Sequence, residues 1–198
     1  MVCKLTPSTP SLILFAGHAG TGKSTLAKKA LPLIIERTGE DFFFLDKDTV
    51  YGAFSAHVME LTTQNPNDRD SPYYLENLRD WEYHGLIDIA RENLLLGVNV
   101  ILVGPFSKEI QSGRMFDPKA LGIPNQTKIS IAWIDLEEGK AKTRMEKRND
   151  PRDQWKLAHW HEYVKRRIDP PQHQSIQRFD NLNFDQMKFE QLINHLIK

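Results

Sequence analysis

Gly17-His18-Ala19-Gly20-Thr21-Gly22-Lys23-Ser24, followed by Thr25, is the stretch whose reading decides the rest of the chain. Its spacing is Gly-x-x-x-x-Gly-Lys-Ser/Thr, in which a glycine-rich turn wraps main-chain amides around phosphate. The flanks agree with that reading. Leu12-Ile13-Leu14-Phe15-Ala16 is a short apolar run suited to a strand buried on both faces. Beyond the turn, Leu26, Ala27, Ala30, Leu33 and Ile34 recur at helical spacing. The predicted unit is strand, glycine turn, helix N-terminus.

Each residue type has a physical task in such a unit. Gly17, Gly20 and Gly22 let the backbone wrap tightly so that successive N–H groups converge on an anion, with His18, Ala19 and Thr21 supplying the main chain between them. The helix starting near Gly22 adds unpaired N–H groups and the positive end of its dipole. Lys23 places a charge where the β- and γ-phosphates of a nucleoside triphosphate would lie. The Ser24 hydroxyl, ahead of Thr25, is a ligand type for Mg²⁺. Residues 17–25 are therefore expected to hold a nucleoside triphosphate.

The chain has 198 residues, enough for one domain with a substantial core. Its 26 basic and 26 acidic residues balance to a formal charge of zero, which disfavours a nucleic-acid partner. Cys3 is the only cysteine, so an intrachain disulfide and a cysteine zinc site are excluded. Met-Val-Cys-Lys-Leu-Thr-Pro carries no apolar segment of signal-peptide length, and no run of residues is long enough to span a bilayer. The expectation is a cytoplasmic protein without a membrane partner.

Buried strands are expected at residues 12–16, 42–45 and 98–103, a fourth strand at 129–134, and a short fifth candidate at 174–179. Between them lie expected helices: one to Gly39 with a kink at Pro32, one through Val58 and Leu61, a long one over 75–96, then 136–147, 152–167 and 184–197. In the long helix, Leu75, Leu78, Trp81, Leu86, Ile89, Ala90 and Leu94 are placed on one face. Residues 62–74 read as a loop, and 107–126 as a connection that is partly helical or functional. Strands alternating with helices predict an α/β fold with a mainly parallel sheet, in a single domain over residues 1–198.

The chemistry is narrowed by what is missing. There is no Asn-Lys-x-Asp motif to read guanine, and Val100-Ile101-Leu102-Val103 ends in Gly104 rather than in a carboxylate. The carboxylates come from the second strand instead, as Asp46 and Asp48 in Asp46-Lys47-Asp48-Thr49. Ligands of open parallel sheets bind along this edge, and phosphoryl transfer to a hydroxyl needs a carboxylate there to hold it and take its proton. The alternative is that Asp48 and Thr49 cap the next helix.

On these residues, and on Arg144, Arg148 and Arg152, the chain resembles the P-loop kinase group of gluconate and shikimate kinases, polynucleotide kinase, chloramphenicol phosphotransferase and the zeta-toxin sugar-nucleotide kinases. It is also similar to AAA-type ATPases defined by their phosphate loop alone. The resemblance implies a three-layer P-loop fold with five parallel strands and the phosphate-loop strand in the middle. It implies Asp48 as catalytic base, Asp46 as support for the Mg²⁺ shell, and a helical lid over about 144–167 whose arginines meet the transferring group. Arg144 and Arg148, four apart on one helix face, come ahead of Arg152 for that role. It also suggests an adenine-side position for Asp180-Asn181. The expected activity is Mg-dependent transfer of the γ-phosphoryl group of ATP to a hydroxyl of a small molecule, by a monomer or homodimer.

Three alternatives stay open. A nucleoside or nucleotide kinase would need acceptor-side arginines such as Arg69 or Arg79, beside Tyr73 and Tyr74. A polynucleotide kinase would bind single strands, and an ATPase module would act through a partner protein. Phe106, Ser107, Lys108 and Arg114 follow the third strand at the binding edge. His159-Trp160-His161 points its histidines apart, so packing of Trp155, Trp160 and Tyr163 is the plainer reading of that stretch.

Overall fold

The computed structural model describes residues 9–198; Cys3 and the N-terminal heptapeptide lie outside them. The apolar runs form strands β1 Ser11–Ala16, β2 Phe42–Asp46, β3 Asn99–Val103, β4 Lys128–Asp135 and β5 Ile176–Asp180. They pair in the order β2-β3-β1-β4-β5, every pair parallel, with the phosphate-loop strand in the middle. Parallel neighbours require crossovers, and helices supply them. The helices are α1 Lys23–Thr38, α2 Lys47–Thr63, α3 Pro72–Asn77, α4 Arg79–Leu95, α5 Ser107–Gln111, α6 Pro118–Leu121, α7 Glu138–Arg148, α8 Gln154–Ala158 and α9 Trp160–Lys165, with α10 Gln186–Leu196 following the last strand.

Strand alternation builds the layers. Leu12, Leu14 and Ala16 of β1 face Leu86, Ile87, Ala90 and Leu94 of α4. Ile13 and Phe15 face the opposite way, onto Leu26, Ala27, Ala30 and Ile34 of α1 and Leu192 and Ile193 of α10. Both faces of the central strand are thus covered by helices, which is why its sequence is continuously apolar. Register places Phe15 opposite Val103 and Ala132, and Val103 opposite Asp46. The glycine turn, Gly104 and Asp46 therefore leave the sheet at one edge. Among the described residues no helix is long and apolar enough to cross a membrane.

Several sequence expectations are corrected. β2 is an edge strand with Phe43 44 % exposed, not a strand buried on both faces, and β3 lies between it and β1. The expected helix over 75–96 is two helices, parted at Leu78, whose backbone (φ −120°, ψ −40°) leaves helical geometry. That break resets the phase: Glu82 and Tyr83 turn inward while Trp81 is 75 % exposed. The loop over 62–74 is shorter, because α2 continues to Thr63 and α3 starts at Pro72 behind the Ser71 cap. α1 runs without interruption through Pro32. Residues 152–167 form α8 and α9 after a 3₁₀ turn at Pro151–Asp153 rather than one helix.

The turn after β1 is closely walled in by main chain. A Cβ on Gly17, at φ 133°, would lie 2.4 Å from the Ile134 carbonyl oxygen, a main-chain atom that cannot swing away. Gly39, at φ 68°, closes α1 with nothing within 4 Å of its missing Cβ. Gly17→Ala is expected to cost roughly 3 kcal/mol or more, and Gly39→Ala only about 1 kcal/mol of left-handed strain. Urea denaturation of the two variants measures the difference.

Candidate active site

The loop is held from behind. Gly17, Gly20 and Gly22 have positive φ of 133°, 78° and 94°. The position of a Cβ on Gly20 is 2.7 Å from the Ala141 carbonyl, and that on Gly22 is 2.5 Å from Asn181 Nδ2. Asn181 Nδ2 donates to the Thr21 carbonyl at 2.8 Å, and Thr21 Oγ1 donates to the His18 carbonyl at 2.9 Å. Lys23 Nζ folds back onto the same carbonyl at 2.6 Å. Burial, opposed by Asp48 and Asp46, lowers the Lys23 ammonium to about 8.

No side chain caps α1, whereas Asp46, Ser71 and Asp185 cap α2, α3 and α10. The first-turn N–H groups of α1 are thereby left for an anion at the end of the loop. Open amides and a buried lysine with only a carbonyl for partner make a cradle that fits a triphosphate. Gly17 and Thr21 shape it from behind and do not line the cavity.

That cavity has a volume of about 530 Å³. Gly20, Lys23, Ser24 and Thr25 line one end, and Asp46 and Asp48 the facing wall. Asp46 Oδ1 accepts from the Asp48 main-chain N–H at 2.9 Å, so the cap of α2 is Asp46, leaving the Asp48 side chain free of that duty. Asp48 carboxylate oxygens lie 3.5 Å from Lys47 Nζ, 3.5 Å from Arg69 Nη2 and 3.4 Å from Arg152 Nη1. Burial pushes this carboxyl up, but Lys47, Arg69 and Arg152 outweigh it and hold it below the ordinary carboxylate range.

Behind Asp48 stands Glu82, 2 % exposed. It accepts from Lys47 Nζ at 2.6 Å, from Arg69 Nη2 at 3.1 Å, and from the hydroxyls of Tyr74 and Ser55. Lys47 and Arg69 are thus each shared between Glu82 and Asp48. Burial raises the Glu82 carboxyl, and the two cations more than reverse that. Arg79 is committed elsewhere: it forks onto Glu109 at 2.6 and 2.9 Å and lies 3.9 Å from the Tyr83 ring centroid.

The three arginines of the sequence reading separate. Arg148 lines the cavity and donates from Nε to Asp153 at 3.0 Å. Arg152 lines it too, between Asp150 and Asp48. Arg144 does not; its Nη2 donates to the Asn181 carbonyl at 2.6 Å, against the outer side of the phosphate loop. Further ion pairs cross the cavity from the α8–α9 segment, Lys156 and Arg166 both reaching Asp70. The same segment touches the phosphate loop, where the Ala19 N–H donates to Tyr163 Oη at 2.9 Å. His18 Nε2 lies 2.9 Å from the Ile168 carbonyl and 3.1 Å from its amide nitrogen. Burial lowers this imidazole to about 4, so it stays neutral.

Sequence reading missed Lys47, Glu82, Asp70 and Lys156. One signal was available: Glu82 stands four residues before Leu86 and eight before Ala90, a carboxylate on the buried stripe of its helix.

Among known proteins, a family model described as an AAA domain matches residues 12–171. No curated protein matches the chain in sequence. Solved structures share the fold. The APS kinase CysC of Mycobacterium tuberculosis, in complex with AMPPNP and APS, is 18% identical over 97% of this chain and 100% of its own, with a TM-score of 0.63. An unliganded sugar kinase from Janibacter sp. HTCC2649 is 19% identical over 93% and 91%, with a TM-score of 0.61. Kti12 of Chaetomium thermophilum, in complex with ADP-AlF3, is 15% identical over 92% and 95%, with a TM-score of 0.64.

Removing the charge of Glu82 would leave Lys47 and Arg69 partly unmatched in a buried setting. Glu82→Gln is expected to lower stability by about 3–5 kcal/mol, read by chemical denaturation at neutral pH. The contribution belongs to the ionised form, so in the wild type it is fully present above the ordinary glutamate range. It fades as pH falls through the lowered value of the folded state.

Proposed function

We propose, from the premise that this chain belongs to the AAA domain family, that it is an ATP-dependent kinase transferring the γ-phosphoryl group to a hydroxyl of a small molecule. The observation that carries the reading is Asp48, a cation-flanked carboxylate facing the same cavity as Lys23 and Ser24. In this reading residues 17–25 hold the phosphates, and Ser24 and Asp46 would hold Mg²⁺. That ion would supply positive charge to the β- and γ-oxygens. Residues 144–167 act as the lid, with Arg148 and Arg152 over the transferring group and Arg144 on the nucleotide's outer side near Asn181.

The acceptor hydroxyl donates its hydrogen bond to Asp48 and is thereby aimed at phosphorus. As the new O–P bond forms, the bond from phosphorus to the leaving ADP oxygen breaks, and the hydroxyl proton passes to Asp48. The transition state is loose, so much of that proton moves late and orientation matters more than basicity. Arg148 and Arg152 meet charge on the equatorial oxygens.

Of the two arginines that a nucleotide kinase would turn to its acceptor phosphate, Arg79 is held by Glu109, while Arg69 lines the cavity with Nε and Nη1 unpartnered. The formal charge of zero weighs against polynucleotide. The proposal covers residues 1–198 as one domain, working in the cytoplasm.

Labelled ATP incubated with a metabolite library tests the reading, scored by transfer of label. Lys23→Ala is expected to abolish transfer and weaken ATP binding sharply. Asp48→Asn should reduce transfer by at least about a hundredfold with ATP binding nearly intact. Full activity in the Asp48 variant refutes the base assignment.

A second test uses the ammonium of Lys23. It titrates near 8 in the free protein, and a bound triphosphate favours its charged form. ATP binding between about pH 8 and 9 should therefore take up a proton, detected by calorimetry in buffers of different ionisation enthalpy.

A further inference from the structure

The α8–α9 segment meets the phosphate loop through a side chain that the mechanism above does not use. Tyr163 is 7 % exposed and lines the cavity. Its oxygen accepts from the Ala19 N–H at 2.9 Å, within the loop itself. A phenol has one proton to give, and among the described residues the Tyr163 hydroxyl donates to none. The bond to Ala19 is made with an oxygen lone pair, so the O–H proton stays available to an acceptor in the cavity.

The ring is fixed. It packs against Trp160 with centroids 5.3 Å apart, and the Arg166 guanidinium lies 5.5 Å from its centroid. Just beyond, Ile168 is joined to His18 of the loop. Arg166 also ties this part of the chain to Asp70 on the opposite wall. Tyr163 therefore stands beside the glycine loop on the cavity wall, across from Asp70.

We infer that the Tyr163 hydroxyl is a ligand of the terminal phosphoryl group, donating to one of its oxygens while its own oxygen is held by the Ala19 amide. The inference rests on the nucleotide reading of the cavity. The phenol keeps its proton for this task, because burial pushes it up to about 12. The segment would then contribute a neutral donor that moves with the phosphate loop, distinct from the arginines at its other end. A donor whose acceptor is an oxygen of the terminal phosphoryl group has no partner in ADP, so it distinguishes the triphosphate from the diphosphate.

Tyr163→Phe keeps the ring and removes only the hydroxyl. Binding of a non-hydrolysable ATP analogue and of ADP is measured by calorimetry in wild type, Tyr163→Phe and Lys23→Ala. The expected result is about a tenfold loss of affinity for the analogue in Tyr163→Phe with ADP affinity unchanged. Unchanged ADP binding also reports that the variant is folded. Equal losses for both ligands would mean that Tyr163 only braces the loop, and no loss for either would mean that its hydroxyl meets no phosphate; both overturn the inference. Should wild type bind neither ligand, or Lys23→Ala bind both as wild type does, the nucleotide reading fails first, and the inference with it.

Discussion

The candidate site is assembled around one buried carboxylate. Glu82 lies behind the cavity wall and draws Lys47 and Arg69 to itself, at 2.6 and 3.1 Å. A lone glutamate in that position would be protonated or expelled, since burying an unpaired charge costs several kcal/mol. Two cations and two hydroxyls make its ionised form tolerable. In turn the glutamate fixes the cations, whose outward sides lie 3.5 Å from Asp48. The surroundings of Asp48, in the first turn of α2, are thus set by an ion network anchored on α4.

The same dependence explains what could be read from the sequence. The phosphate loop was legible because its neighbours in sequence are its neighbours in space: an apolar strand, glycines, then a helix. The sheet was legible because strands covered on both faces are continuously apolar, as Leu12 to Ala16 are. β2 also reads as apolar, yet it is an edge, because a run of phenylalanines does not reveal how many neighbours a strand has. Glu82, Lys47 and Arg69 meet across 35 and 13 positions of sequence, and no local spacing encodes such a meeting. The break at Leu78 was hidden for a related reason. The phase after the break turns Glu82 and Tyr83 inward together, Glu82 to Lys47 and Arg69 and Tyr83 edge-on to Phe106.

The segment from Pro151 to α9 differs from the core in kind. α8 contributes no buried residue and α9 only Tyr163. Its ties to the opposite wall are ion pairs, Arg152 to Asp48 and Lys156 and Arg166 to Asp70. Partly exposed pairs of this type contribute roughly 0–1 kcal/mol each, far less than the apolar packing that holds α4 to the sheet. An element held at one face by such pairs is suited to open and close. The contacts of Tyr163 and Ile168 with the loop make its other end the fixed one.

Asp48 presents the sharpest conflict of requirements. A general base works best with a pKa near the working pH, yet Lys47, Arg69 and Arg152 lower this one. For proton abstraction ahead of bond formation, the arrangement is wrong. For a loose phosphoryl transfer it suits the task, because the hydroxyl becomes acidic only as its oxygen bonds to phosphorus, and until then an ionised, immobile acceptor is what aims it. The cations that weaken Asp48 as a base keep it ionised and hold it in place. Arg152 is the one among them that lies in the proposed lid. In that reading, a closure that turned Arg152 to phosphoryl oxygens would leave Asp48 with one cation fewer and raise its basicity, readying it for the proton.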